Sequence, residues 1–520
     1  MSLNQESFIK HIQEGYNFSS PDIKLGAAIW ESNTYKEAKV AIPLKMMNRH
    51  GLIAGATGSG KTKTLQILAE QLSRNGVPVL VMDIKGDLSG IAAPGQLSEK
   101  IENRMKSIDI PFTTQGSPVE FLSLSHEPGT RVRATVTEFG PLLLSKILEL
   151  NDTQQGIVAL VFKWADDQGL PLLDLKDFKK TLQFLTNEGK QMIAEEYGTV
   201  SPASTGTIMR KILELEQQEA EIFFGEPTFM IDDLLRFDAS GKGIVSVLRL
   251  TDIQDRPKLF STFMLQMLAE VYSTFPEVGD QDKPRFVIFI DEAHLIFNNA
   301  SKALRAQIDT TIKLIRSKGV GVFFVTQSPN DIPESVLGQL GFKIQHVLRV
   351  FTTKDRKEIL SVSQNFPLSN YYTTDQVLTS MGIGEALVTG LNEKGIPTPL
   401  VHTMLRAPES RMDILTTDEI KRIVEGSDIE RKYRESIDRE SAYEILAAKL
   451  ESIRDEDNAQ SQKGNQPTSN RRSDDKSLFE KILNNTTTRQ ILRTATREAT
   501  RGIMNVLGLG GRSKRKSTWF

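Results

Sequence analysis

The chain has 520 residues, with 64 Lys plus Arg against 66 Asp plus Glu, 39% hydrophobic residues and no cysteine. The balanced charge excludes a general basic field for nucleic acid, so any such contact has to be local. The missing thiols exclude disulfides and cysteine-ligated zinc, the six histidines are too scattered for a structural metal, and no apolar run reaches the roughly 18 residues of a transmembrane helix. A cytoplasmic protein of about three domains is expected.

Met1 to Phe18 is polar and carries no signal-like apolar core. The apolar runs Leu25 to Trp30 and Lys39 to Pro43 flank Glu31-Ser32-Asn33-Thr34, which predicts a small β element within an N-terminal segment, residues 1–45. His50 to Ala54 reads as a short buried strand. It feeds Gly55-Ala56-Thr57-Gly58-Ser59-Gly60-Lys61-Thr62, a match to the P-loop pattern G-x-x-x-x-G-K-[ST]. Leu65, Leu68, Ala69 and Leu72 then recur at helical spacing, which supplies the strand, loop and helix setting that the pattern requires.

Val77 to Met82 is a continuous apolar run ending in Asp83-Ile84-Lys85-Gly86-Asp87, as expected of a buried parallel strand whose C-terminal end faces a ligand. Strands are predicted at Val119 to Leu124 and Arg131 to Val136, completing a first core half over 46–139. From 140 to 237 the periodicity is helical: Ile157, Leu160, Val161 and Trp164 share one face, and Ile208, Ile212 and Leu215 another. This reads as a helical insertion in the sheet.

Strand patterns return in 238–410, at Gly243 to Leu250, Phe286 to Ile290, Val320 to Val325, Ile344 to Val350, Glu385 to Leu391 and Pro397 to Leu405. Leu259 to Tyr272, apolar nearly all round, predicts a buried helix. Charged helices are expected over 411–454 and a disordered linker over 455–476. A basic tail helix follows over 477–520, in which Arg489, Arg493, Arg497 and Arg501 recur every four residues. Such a stripe is ordinarily a solvated face, with nucleic acid or acidic lipid as the functional reading.

The apolar run Phe286 to Ile290 ends in Asp291-Glu292-Ala293-His294. Backbone amides of a glycine-rich loop can surround the β- and γ-phosphates of ATP, and Lys61 adds a point cation. Thr62 and Asp291 are the candidate Mg2+ ligands, while Glu292 is placed to polarise an attacking water. Gln327, after the Val320 strand, is a candidate γ-phosphate sensor. Arg49, Arg305, Arg316 and Arg349 are candidates for a transition-state cation. Arg49 leads because it precedes the P-loop strand, on the side away from its own nucleotide.

Asn48-Arg49-His50-Gly51, Asp83-Ile84-Lys85-Gly86-Asp87, Glu138-Phe139-Gly140-Pro141-Leu142-Leu143, Asp291-Glu292-Ala293-His294 and Gln345-His346-Val347-Leu348-Arg349 together resemble the YjgR-like bacterial proteins, a group similar to the HerA/FtsK branch of P-loop ATPases. The resemblance spans nearly all of residues 20–450. It implies a RecA-like α/β core with a mostly parallel sheet, an additional strand and a catalytic glutamate. It also implies a homo-oligomeric, commonly hexameric ring that moves DNA or protein through a channel, with arginines supplied by a neighbour. The chain departs from FtsK in lacking its transmembrane segments and from HerA in its short N-terminal β region. The leading expectation is a Mg2+-dependent ATPase, a helicase or translocase acting on DNA. The alternative is a nucleotide-gated scaffold with slow hydrolysis that recruits a protein partner or a membrane surface.

Overall fold

The computed structural model describes residues 4–253, 256–279, 281–298 and 302–462. The described residues divide into two compact units: one within 4–132, 230–260 and 275–434, the other within 133–229, 261–274 and 435–462.

The first unit is built on one twelve-stranded sheet in the order β2-β1-β12-β11-β10-β3-β9-β8-β4-β7-β5-β6. In chain order the strands are β1 (Asp22–Trp30), β2 (Asn33–Pro43), β3 (Gly51–Ala54), β4 (Val79–Asp83), β5 (Val119–Ser123), β6 (Thr130–Arg131), β7 (Val245–Arg249), β8 (Phe286–Ile290), β9 (Val320–Thr326), β10 (Phe342–Gln345), β11 (Glu385–Thr389) and β12 (Val401–Leu405). From β10 across to β6 every neighbouring pair is parallel, whereas β11, β12, β1 and β2 pair antiparallel at one edge. The composition explains the split. Every residue of β3, β4, β8 and β9 is buried, as in strands covered on both faces, while β2 alternates buried and exposed positions along its first half.

The P-loop helix, Lys61–Arg74, covers one face by burying Leu65, Leu68, Ala69 and Leu72 in a cluster with Ile53, Val79, Val81, Phe289 and Phe323. Each fully buried leucine of this kind contributes about 2 kcal/mol of hydrophobic stabilisation. The strand β9 lies between β3, which leads into the P-loop, and β8, which leads into Asp291. This is the additional-strand arrangement of a P-loop core.

Local chemistry explains where elements differ from the sequence pattern. The expected strand at Arg131 to Val136 ends after Arg131. Thr135 instead forms a capping box with Glu138 and starts the helix Val136–Ile147, which satisfies helix-terminal amides that a strand would leave to a neighbour. The expected strand at Ile344 to Val350 stops at Gln345, because Leu348 N donates to Leu378 O at 2.8 Å and draws the chain out of the sheet. Arg349 is therefore a loop residue. Pro397 and Pro399 lack amide donors, and β12 begins only at Val401. At the N-terminus, an Asn4/Ser7 capping box starts a helix, Gln5–Gly15, that buries Phe8 and Ile12.

The second unit is helical. It includes Val136–Ile147, Asp152–Gln168, Leu175–Thr186, Lys190–Glu196 and Pro202–Glu216, with Trp164, Phe178, Ile208 and Ile212 inside. The helix Pro257–Thr274 buries Phe263, Met264, Leu265 and Leu268. The helix Ala442–Gln462 continues into the stretch read as a linker from residue 455. The remainder of that stretch and the arginine-striped tail lie outside the described residues. Among the described residues no helix is long and apolar enough to cross a membrane.

Candidate functional site

The P-loop turns out of β3 through backbone geometry that glycine permits. Gly55 has φ +151°, and a Cβ there would lie 2.5 Å from the His346 Cβ; Gly60 has φ +113°. The loop is tied to both neighbouring strand ends, with Gly55 N donating to Thr326 O at 3.3 Å and Ala56 N to Val347 O at 2.9 Å. On its outer side Gly384 N donates to Ser59 O at 3.1 Å. The helix starts at Lys61, so the amides of its first turn have no intrahelical acceptor and point at the loop's concavity. Beneath the loop, His346 is fully buried with Nε2 2.9 Å from Thr64 Oγ1, and burial with the nearby Lys61 charge pushes its pKa down to about 4. A neutral imidazole thus props the loop.

Lys61 lies across the loop, donating to Gly55 O at 2.7 Å and Ala56 O at 3.1 Å. Burial, then the charge of Lys85, lowers its pKa, while Glu292, Asp291 and Asp87 act in the opposite sense. A group so placed gains from an incoming anion.

The acidic side is built at the ends of β8 and β4. Asp291 N donates to Met82 O at 3.3 Å and Ala293 N to Val325 O at 2.9 Å, so the segment after β8 is pinned to the strands on both sides. Asp291 is buried, and burial pushes its carboxyl up to about 7. Its Oδ2 has no hydrogen-bond partner among the described residues. Glu292 is also buried, with φ +47°, and its carboxylate ion-pairs with Lys85 and lies 3.1 Å from His294 Nδ1. After β4, Asp83 accepts from Gly86 N at 2.8 Å, Asp87 N at 3.2 Å and Leu88 N at 3.2 Å, which folds the turn. Burial, reinforced by Asp87, raises the Asp83 carboxyl to about 6. Thr62 Oγ1 donates to Asp87 Oδ2 at 3.2 Å, and Asp87 Oδ1 is likewise buried without a partner.

The orphaned oxygens of Asp291 and Asp87, and the Thr62 hydroxyl that Asp87 contacts, are hard donors of the kind Mg2+ takes. Among the described residues no group of three or more His, Cys, Asp or Glu forms a metal cage.

A cleft of about 530 Å³ opens beside the loop, lined by Ala56, Thr57, His294, Gln327, Ser328 and Arg349 among others. Gln327 and Arg349 are both exposed there. Arg49 is elsewhere. It closes the turn Leu44–Arg49 at the opposite end of β3, half-buried, with its carbonyl accepting from Gly341 N at 2.9 Å. Arg305 and Arg316 are exposed and do not line the cleft. The structure therefore gathers Lys61, Thr62, Asp291 and Glu292, adds Gln327 and Arg349 on the cleft side, and leaves Arg49 apart. The pairing of Lys85 with Glu292, the Asp87 contact to Thr62, and Gly384 against the loop were not predicted. The polar turn Asp83 to Asp87 at a strand end was the signal for the first two, and Gly384 had none.

Residues 29–515 match the family described as Helicase HerA-like C-terminal. The chain belongs to the HerA-like helicase family. It is 24% identical over 413 residues to the DNA double-strand break repair helicase HerA of Sulfolobus acidocaldarius, covering 78% of this chain and 74% of that protein. It is 25% identical over 384 residues to the HerA of Sulfurisphaera tokodaii, covering 72% and 68%. The bacterial conjugative coupling protein TrwBdeltaN70 superposes with a TM-score of 0.50 at 13% identity, over 78% of this chain and 94% of that one, which shows a shared fold. The HerA-like chain is thus a P-loop NTPase of a motor family, with β9 as the added strand.

Proposed function

We propose that this HerA-like chain hydrolyses ATP with Mg2+ and couples turnover, in a homo-oligomeric and commonly hexameric ring, to translocating or remodelling DNA. The observation that carries this reading is Asp291 and Glu292 side by side at the end of β8, one strand away from the loop bearing Lys61 and Thr62. Loop amides and Lys61 bind the phosphates. Thr62 and Asp291 would hold the cation, which when bound would supply neutralisation of phosphate charge. Glu292 orients and polarises the water that attacks the γ-phosphorus as the bond to the β-phosphate oxygen breaks. Gln327 contacts the γ-phosphate side from the cleft, Arg349 meets developing charge there, and Arg49 serves a neighbouring subunit's site.

The DNA substrate rests on the names of the HerA relatives. ATP turnover measured with and without double-stranded DNA tests it: several-fold stimulation is expected, and unchanged turnover would set DNA aside. Native mass measurement with ATP is expected to show a ring, and a strict monomer at micromolar concentration would remove Arg49 from any site.

A further inference from the structure

We infer that Lys85 is a positioning residue for Glu292: it ties the water-polarising carboxylate to the Asp83–Asp87 turn, and through Asp87 to the Thr62 hydroxyl. The inference rests on the proposed hydrolytic role of Glu292 and assigns to Lys85 a function that the P-loop pattern does not contain.

Glu292 does not hold its own geometry. Its φ of +47° is one that side-chain-bearing residues rarely adopt. The amides on either side are pinned, Asp291 N to Met82 O and Ala293 N to Val325 O, so the strained residue is caught between two fixed points. What remains is the direction of a three-carbon side chain, and Lys85 supplies that restraint through its ion pair on Oε1, while His294 stands by Oε2. Lys85 is itself aimed by a built turn. Asp83 accepts from Gly86, Asp87 and Leu88 amides, and Gly86 has φ +76° with a Cβ position 2.7 Å from Thr251 Cγ2. The Lys85 side chain is 37% exposed against 6% for Glu292, so the lysine reaches inward from the surface rather than packing in the core.

The turn therefore has two outputs. Lys85 contacts the carboxylate on the water side, and Asp87 accepts from Thr62 Oγ1 on the cation side at 3.2 Å. A shift of Thr62 on engaging a ligand would reach Glu292 through the three residues Lys85, Gly86 and Asp87. Misplacing a reacting group by about 1 Å costs on the order of 100-fold in rate.

The test is steady-state ATP turnover, with separate binding of a fluorescent ATP analogue and of ADP, for wild type, Lys85→Met, Lys85→Arg and Lys85→Met combined with Glu292→Gln. The expected result for Lys85→Met is a fall in kcat of about 10- to 100-fold with KM and both affinities within about twofold. Lys85→Arg should recover most of the rate, and Lys85→Met should cost nothing further in the Glu292→Gln background. Weakened binding of the ATP analogue with ADP binding kept would overturn the inference by making Lys85 a phosphate ligand. Unchanged kcat in Lys85→Met would overturn it as well, as would a loss that arginine does not rescue. If instead the wild type turns over no ATP, the hydrolytic reading fails and Lys85 is not its cause.

Discussion

The two ends of β3 solve opposite problems with similar means. At the C-terminal end, glycines with positive φ, a buried lysine, and Asp291 and Asp87 oxygens without hydrogen-bond partners among the described residues leave the backbone and charges poised for something to bind. At the N-terminal end, His50 also has a positive φ, +57°, yet its ring is fully engaged. Its Nδ1 accepts from Val322 N at 3.0 Å and its Nε2 sits 2.9 Å from Ile312 O, so both ring nitrogens are used inside the core. Unusual backbone alone does not mark a site. Here the partnerless Asp291 and Asp87 oxygens set the C-terminal end apart.

Substitutions at the two ends are expected to separate activity from stability. The largest effect is expected at Lys61: Lys61→Ala should lower ATP turnover by at least about 100- to 1,000-fold while the melting temperature stays close to wild type. A variant that melts early would mean the lysine is structural.

His50 gives the complementary result. Burial first, then Arg316 and Arg49, pushes its pKa from 6.5 to about 4. The unfolded chain therefore binds the proton more readily, so the stabilisation is complete above pH 6.5 and is lost as pH falls towards 4. The size is on the order of 3 kcal/mol. Urea midpoints measured from pH 7 to pH 4 should fall more steeply for wild type than for His50→Asn, an asparagine tolerating the positive φ. Parallel curves would contradict the assignment.

Within the loop, Gly55→Ala should cost about 1–3 kcal/mol and weaken nucleotide binding, since the new methyl meets His346. The smallest change is expected for Gly58→Ala, where φ is +75° but nothing lies within 4 Å of the added carbon, at about 1 kcal/mol. Thermal melts of the two variants side by side check the order, and a reversal would mean that loop shape rather than crowding governs the cost.

Much of this was legible in the residues. The P-loop, the strand into Asp291 and the apolar strands of the parallel half follow from runs too short for helices and too uniformly apolar for a one-sided sheet. The antiparallel edge was less visible. β12 is shortened by prolines, and the hairpin β1–β2 looked like a separate small element although Gly26 to Ala28 pair with Leu405 to Thr403 in the same sheet. A strand's partner is a long-range fact that its own sequence does not carry. The apolar residues Val347, Leu348 and Val350 predict a strand through Arg349, whereas the hydrogen bond from Leu348 N to Leu378 O ends the strand and leaves Arg349 on the cleft. Lys85 could not be paired with Glu292 in advance, because the link depends on β4 and β8 being neighbours.

The most direct test of the hydrolytic site is a single comparison of wild type with Glu292→Gln, measuring phosphate release and retained ATP in the same samples. Turnover is expected to fall by about 100- to 10,000-fold with ATP still bound. Turnover at the wild-type rate in Glu292→Gln would contradict the account.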